Sequence, residues 1–390
     1  MEIFLINIFK AILTGFYMFW EVLWPLTLGF TLSAIVQAIV SKSSVAKTLG
    51  TDSSKSISFA TLYGMASSSC SYAAVALARS IFRKGGSFAN AMIFEIASTN
   101  LVIELGLILF ILMGWQFTLA EFIGGIIMIV ILAVIFHFTL KKNLIKQALH
   151  HANMGLVGRM EGHVSMDISE TKGAVWQRIF SKEGITSISH YFVIDWVSIW
   201  QDLVLGFLLA GALAAWVPNS WWQTIFFNNN PTVAFIVGPL IGPIIAIITF
   251  VCSVGNVPLA AVFWRGGISF GGVISFIFAD LIAIQILDIY RKYYGLKMSA
   301  YILITFYIAM VIAGYLVELL FNLFGFIPES HTVRQITQGI QWNYTTWLNI
   351  IFLIIGAFLV YRFIRTGGIA MLKMMNMPGR RDNKQHYHSL

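Results

Sequence analysis

The chain contains two cysteines, Cys70 and Cys252, and a serine follows each of them. Sulfur is a soft donor, so such a pair could hold a soft metal or a thiophilic metalloid such as trivalent arsenic. The same thiols could pair and pass electrons, and a membrane thiol-redox carrier using Cys70 and Cys252 is the alternative function. The plainest reading makes each thiol a small buried hydrophobe. No Cys-x-x-Cys accompanies them, and two thiols cannot build the disulfide framework of a secreted domain.

Other polar groups gather around these cysteines. Ser68, Ser69, Cys70 and Ser71 form one small, hydroxylated run, and Cys252, Ser253 and Asn256 form another. At the broken end of a helix, such residues and their free N–H groups could contact a polar or anionic solute. Small residues also simply allow helices to pack closely in a membrane. Ser98 and Asn100 belong to Ala97-Ser98-Thr99-Asn100, a likewise polar interruption of an apolar stretch. Glu95, Glu104 and Asp280 are carboxylates in apolar surroundings, where ionisable groups commonly serve proton or ion relays. Asp280 and Glu95 are the candidates for proton coupling; structural pairing of Glu95 with Arg79 or Arg83 is the competing reading.

No phosphate-binding loop, Ser/His/Asp triad or His-Glu-x-x-His helix occurs, so no catalytic residues are assigned and the chain does not read as an enzyme. The histidines are scattered through polar regions without paired ligand spacing. Neither a metal site nor a cofactor is expected.

The elements that must position these groups are membrane helices. The chain is 58% hydrophobic and 11% charged, with mean hydropathy +0.80, whereas a soluble domain carries roughly a quarter charged residues. Several apolar runs reach the ~20 residues needed to cross a bilayer core. Nothing beyond the net charge of +8 favours nucleic acid. The expected partners are the lipid bilayer and a small molecule or ion as substrate, and a homo-oligomer is an allowed assembly. No removable signal peptide is read at the N-terminus.

The two Cys-Ser sites head a repeat. From residue 70 to 104, about eleven of about 35 residues recur at an offset of 182, where chance gives roughly three or four. Arg83, Gly85, Ser87, Phe88 and Ala97 recur as Arg265, Gly267, Ser269, Phe270 and Ala279, and Asp280 takes the position of Ser98. The expected organisation is a first membrane repeat at 1–140 and a cytoplasmic linker at 141–195. A second repeat at 196–326 follows, then 327–390 with an external loop, a last transmembrane helix and a cytoplasmic tail. If 57–82 and 232–264 each dip into the membrane and return, nearly all basic loops fall on the cytoplasmic side; if both cross, three basic segments lie outside. The charge bias therefore favours re-entrant hairpins, which make the two repeats inverted. Pro239 and Pro243 are expected to break the helix leading into the second hairpin. The fold class is all-α and polytopic, with two inverted repeats, two re-entrant Cys-Ser hairpins and one extra C-terminal helix.

At Cys70-Ser71, Arg83-Lys84-Gly85-Gly86-Ser87, Ala97-Ser98-Thr99-Asn100, Cys252-Ser253 and Phe278-Ala279-Asp280-Leu281, the chain resembles the predicted permeases related to ArsP, the organoarsenical efflux permease. The resemblance covers most of the membrane part. It implies a secondary permease of two halves in the cell membrane, exporting a metalloid, an organoarsenical or a similar small compound. Tyr72 stands where that family often has a second cysteine, so a thiol-rich site is not implied.

Overall fold

The computed structural model describes residues 2–39, 48–50, 53–67, 71–153, 175–226, 230–249, 253–329, 340 and 342–376. Every regular element among them is helical. The first set is α1 (Glu2–Ile39), α2 (Ser54–Ser67), α3 (Ser71–Arg83), α4 (Phe88–Asn100), α5 (Ile103–Leu112) and α6 (Trp115–Thr139). Then come α7 (Lys142–Asn153) and α8 (Val175–Phe180). The second set is α9 (Lys182–Trp216), α10 (Asn219–Ile225), α11 (Pro231–Thr249), α12 (Ser253–Arg265), α13 (Phe270–Phe278), α14 (Ile284–Tyr294) and α15 (Leu296–Leu323). A 3-10 turn at Ala279–Ile282 links α13 to α14, and α16 (Tyr344–Arg365) and α17 (Gly368–Asn376) close the described chain.

Among the described residues, six stretches are long and apolar enough to cross a membrane: α1, α4 with α5, α6, α11, α15 and α16, or seven if the bent α13–α14 pair counts as one span. Large apolar side chains such as Phe110, Ile126, Val130, Ile304, Ile354 and Phe358 stay exposed, as a lipid-facing belt requires. This is an all-helical integral membrane protein.

Local signals explain where the helices begin and end. Ser87 accepts a hydrogen bond from the Asn90 amide and caps α4; Ser269 accepts one from Gly272 and caps α13. The turns before them need a left-handed residue, supplied by Gly85 (φ 98°) and Gly267 (φ 95°). There the Gly86 amide donates to the Ile81 carbonyl at 2.9 Å, and Ile268 donates to Phe263 at 3.2 Å. All these pairs are related by the offset of 182, as are the bounds of α3 and α12.

Both α4 and α13 are interrupted soon after. Leu101 (φ −99°, ψ 42°) and the extended Val102 (φ −113°, ψ 148°) separate α4 from α5. In the second set the 3-10 turn and Ala283 (φ −58°, ψ 147°) precede α14, with a bend of 41°.

Packing relates the elements further. The beginning of α2 lies beside the beginning of α4, since Asn90 Nδ2 donates to Ser56 Oγ at 2.9 Å and the Ser87 amide to the Leu49 carbonyl at 2.8 Å. Further along, a Cβ on Gly64 would lie 2.5 Å from the Phe94 carbonyl and 2.7 Å from Ala97 Cβ. In the second set Gly238 faces Ser269, and Gly242 faces the Gly272 carbonyl. Phe88 lies 6.3 Å from Phe136, near the end of α6, whereas its counterpart Phe270 lies 4.8 Å from Phe117, near the start. Across the two sets α3 packs on α14 and α12 on α5, while α1 pairs with α9 and α6 with α15. The α1–α9 contact is close because Gly15 meets the Phe207 backbone and Gly211 meets Ala11.

Two features differ from the sequence reading. The helix of the second repeat, expected from residue 196, begins at Lys182, inside the segment read as a linker. Ile188, Tyr191 and Phe192 are buried, so one face of this polar-looking stretch has a packing partner. Pro239 and Pro243 do not break α11, which runs through both. Tyr315 donates its hydroxyl to the Ile236 carbonyl and Tyr307 to Leu240, so neighbouring side chains satisfy backbone acceptors in the turns the prolines disturb.

Candidate functional site

Ser71 is the first residue of α3, and its buried Oγ donates to Asp280 Oδ2 at 2.6 Å. The bond joins the short helix after the first cysteine to the 3-10 turn of the second repeat. It also sets the Asp280 carboxyl at a helix N-terminus, where free N–H groups and the dipole favour an acceptor. Asp280 is 1% exposed, and its Oδ1 has no hydrogen-bond partner among the described residues.

Glu95, fully buried on α4, accepts a hydrogen bond from the Tyr290 hydroxyl of α14; its Oε2 is unpartnered. Glu121, on α6, is 0% exposed and neither of its oxygens has a partner. Both carboxyls lie within electrostatic reach of Asp280. Among the described residues, none of the three is hydrogen-bonded to a lysine or arginine. Asn100, at the end of α4, and Asn256, on α12, are also completely buried, and all four of their amide heteroatoms lack partners among the described residues. Buried polar atoms usually find a partner, so five such residues around two helix breaks mark an unusual interior.

The remaining expected site residues divide. Ser253 is buried at the start of α12. Ser98 Oγ donates to the Glu95 carbonyl at 2.8 Å, so this hydroxyl is turned back on its own helix. Ser68, Ser69, Cys70 and Cys252 lie outside the described residues, between the ends of helices that carry Ser67, Ser71 and Ser253. Glu104, in the first turn of α5, is buried with its Cβ against Gly29 of α1.

Glu121 and Tyr290 were missed by the sequence reading. A lone carboxylate inside the apolar run 117–140 was a signal for Glu121. Tyr290, next to Arg291 and Lys292, reads as an interfacial aromatic, and nothing in its neighbours announces a carboxylate from α4.

The model of the ArsP_1 family, whose description is "Predicted permease", matches residues 7–319. The chain belongs to this family. It is also 58% identical over 338 residues to the "Putative permease Rv2963" of Mycobacterium tuberculosis, covering 86% of this chain and 83% of that protein. No solved structure matches the chain.

Every polar residue of the buried set lies inside the matched span of this permease, while α16 and α17 lie beyond it. Among the described residues of the permease, no three His, Cys, Asp or Glu side chains stand close enough to share a metal ion. The three carboxyls are therefore neighbours by charge, not members of one chelate.

Arg79 serves the periphery of this site. It is buried on α3, donates to the Ala152 carbonyl of α7 through Nε (3.2 Å) and Nη2 (2.7 Å), and lies over the Tyr293 ring at 4.2 Å. Arg83 and Arg265 end α3 and α12 and are exposed.

Proposed function

We propose that this permease is a secondary exporter of a small solute, coupled to protons at Asp280. The solute would meet the two Cys-Ser tips opposite the interrupted helices. The observation that carries this reading is the Ser71–Asp280 hydrogen bond: a helix N-terminus of one repeat and a broken helix of the other converge on one buried carboxyl group. Discontinuous helices that meet near the membrane midplane are how many secondary transporters build solute and ion sites. An ionisable group there, with no cationic partner among the described residues, is well suited to carry a proton.

Several features support two inverted halves with a re-entrant hairpin in the first; α11, in the second, is by itself long enough to cross, so the second hairpin rests on the repeat and the charge bias. At 1.5 Å per residue, the 14 residues of α2 cover about 21 Å, short of the ~30 Å hydrocarbon core. The contacts of Ser56 and Gly64 with α4 run in the same direction, so α3, which must return to the Gly85 turn, runs antiparallel to both. Phe88 and Phe270 occupy equivalent repeat positions but lie at opposite ends of α6, as antiparallel halves require. In this arrangement single cysteines introduced at Lys55 and Lys292 label from the cytoplasmic side of intact cells' membranes. Labelling from opposite sides would end the inverted reading.

The solute is proposed to be a trivalent organoarsenical or metalloid. The support is the ArsP_1 membership, together with two thiols at the tips. The protein is then expected in the cell membrane with its C-terminus cytoplasmic. Cells expressing it should accumulate several-fold less methylarsenite than cells without it, measured as cell-associated arsenic. Equal accumulation would remove this solute class.

A further inference from the structure

Three buried carboxyl groups lie at three successive depths, and α6 provides the scale. Near its start, Phe117 touches Phe270; further along, Gly124 faces Phe278 and Gly125 faces Leu101; near its end, Phe136 lies by Phe88. Phe88 in turn is 5.5 Å from Tyr294. The two helix breaks therefore sit level with Gly124 and Gly125. Glu121 is one helical turn from them towards the start of α6. Asp280 is in the break itself. Glu95 lies beyond it, between Leu101 and Phe88, and Tyr290 lies beyond it too, between the break and Tyr294.

This order is matched by the interactions. Glu95 and Glu121 each lie within electrostatic reach of Asp280, and among the described residues neither is hydrogen-bonded to it. The titratable groups facing Glu95 are Tyr290, Tyr294 and Asp280, and the one facing Glu121 is Asp280. Arg79 faces Tyr293 and Tyr294. Cys70 and Cys252 lie outside the described residues. Independently of the carboxyls, Asn100 sits at the first break with both amide heteroatoms unpartnered, next to the Leu101 that packs on Gly125. A wholly buried amide left open beside a broken helix is rare in a packed core.

We propose that Glu121, Asp280 and Glu95 form a proton relay through the middle of the permease. Glu121 serves the face at the start of α6. Glu95, held by Tyr290, serves the opposite face, towards the end of α6. Each step breaks one carboxyl O–H bond and forms another on the next carboxylate, the proton crossing through bridging water because the carboxyls share no hydrogen bond, and no electrons change hands. The relay rests on the proton-coupling reading of Asp280 and adds its two branches.

The test uses the full chain in phospholipid vesicles with methylarsenite as probe, measuring pH-gradient-driven net uptake and exchange at zero gradient. Exchange needs no net proton transfer, so Glu121→Gln and Glu95→Gln should each lower the ratio of net uptake to exchange about tenfold or more. Glu121→Asp and Glu95→Asp, which keep a titratable group, should recover most of it. A ratio unchanged in either glutamine variant, or net uptake and exchange lost in proportion, overturns the relay. If Asp280→Asn retains net uptake, the coupling reading fails and takes the relay with it. If Asp280→Asn loses uptake while a glutamine variant keeps it, the relay alone falls. A second readout needs no solute. The infrared carboxyl band that disappears in Asp280→Asn reports Asp280, and its titration midpoint should move by about one unit in each glutamine variant. An unmoved midpoint in either overturns the relay whether or not methylarsenite is carried.

Discussion

Asp280→Asn is expected to lower net transport by about a hundredfold while the protein still extracts as a monodisperse particle. Asparagine keeps the size of the side chain and can still accept the hydrogen bond from Ser71 Oγ, so the contact between the two repeats survives. What is lost is the ability to exist in two charge states at the helix break. Ser71→Ala provides the contrast. It removes the 2.6 Å hydrogen bond but leaves the carboxyl, and should cost about tenfold or less. Vesicle uptake of methylarsenite with and without a pH gradient measures both. Undiminished gradient-driven uptake by Asp280→Asn would remove this residue from the mechanism.

A second large effect is expected at the base of α3. Arg79→Met keeps an apolar stem but removes the guanidinium that donates twice to the Ala152 carbonyl and covers Tyr293. Breaking a buried charged contact typically costs about 3 kcal/mol, because the acceptor it leaves behind is buried too. Here that acceptor is near the C-terminal end of α7, where helix carbonyls lack intrahelical donors. The thermal midpoint in detergent should fall by about 5–10 °C, and protease sites on α7 should open. Arg79→Lys should recover only part of the loss, since an ammonium cannot reproduce the fork of two parallel N–H donors. A midpoint within about a degree of wild type would mean that α7 is held by other contacts.

Much of this protein was legible before any tertiary structure. The repeat located both Cys-Ser sites, and the recurring glycines and serines it marked prove to be turns and helix caps, which are short-range requirements of backbone geometry. The left-handed residue at Gly85 recurs at Gly267 because both turns have the same shape. Asp280 stood out because an isolated carboxylate in apolar sequence has few structural excuses. The proline reading of α11 failed for the opposite reason. Proline removes a local hydrogen bond, but the tyrosines near the affected carbonyls come from a helix some 70 to 80 residues away. The two cysteines remain a sequence-level proposal, because neither lies among the described residues.

Composition and periodicity by themselves determined that this is a helical membrane protein with two related sets of elements, and local chemistry determined where many helices begin and end. Only the tertiary structure decided which polar groups meet. Ser71 reaches Asp280, and Tyr290 reaches Glu95, across sequence separations of 209 and 195 residues. No local preference encodes such pairings. They follow from the packing of helices whose depths are set by their neighbours, and that same packing leaves Glu121, Asn100 and Asn256 buried without partners among the described residues.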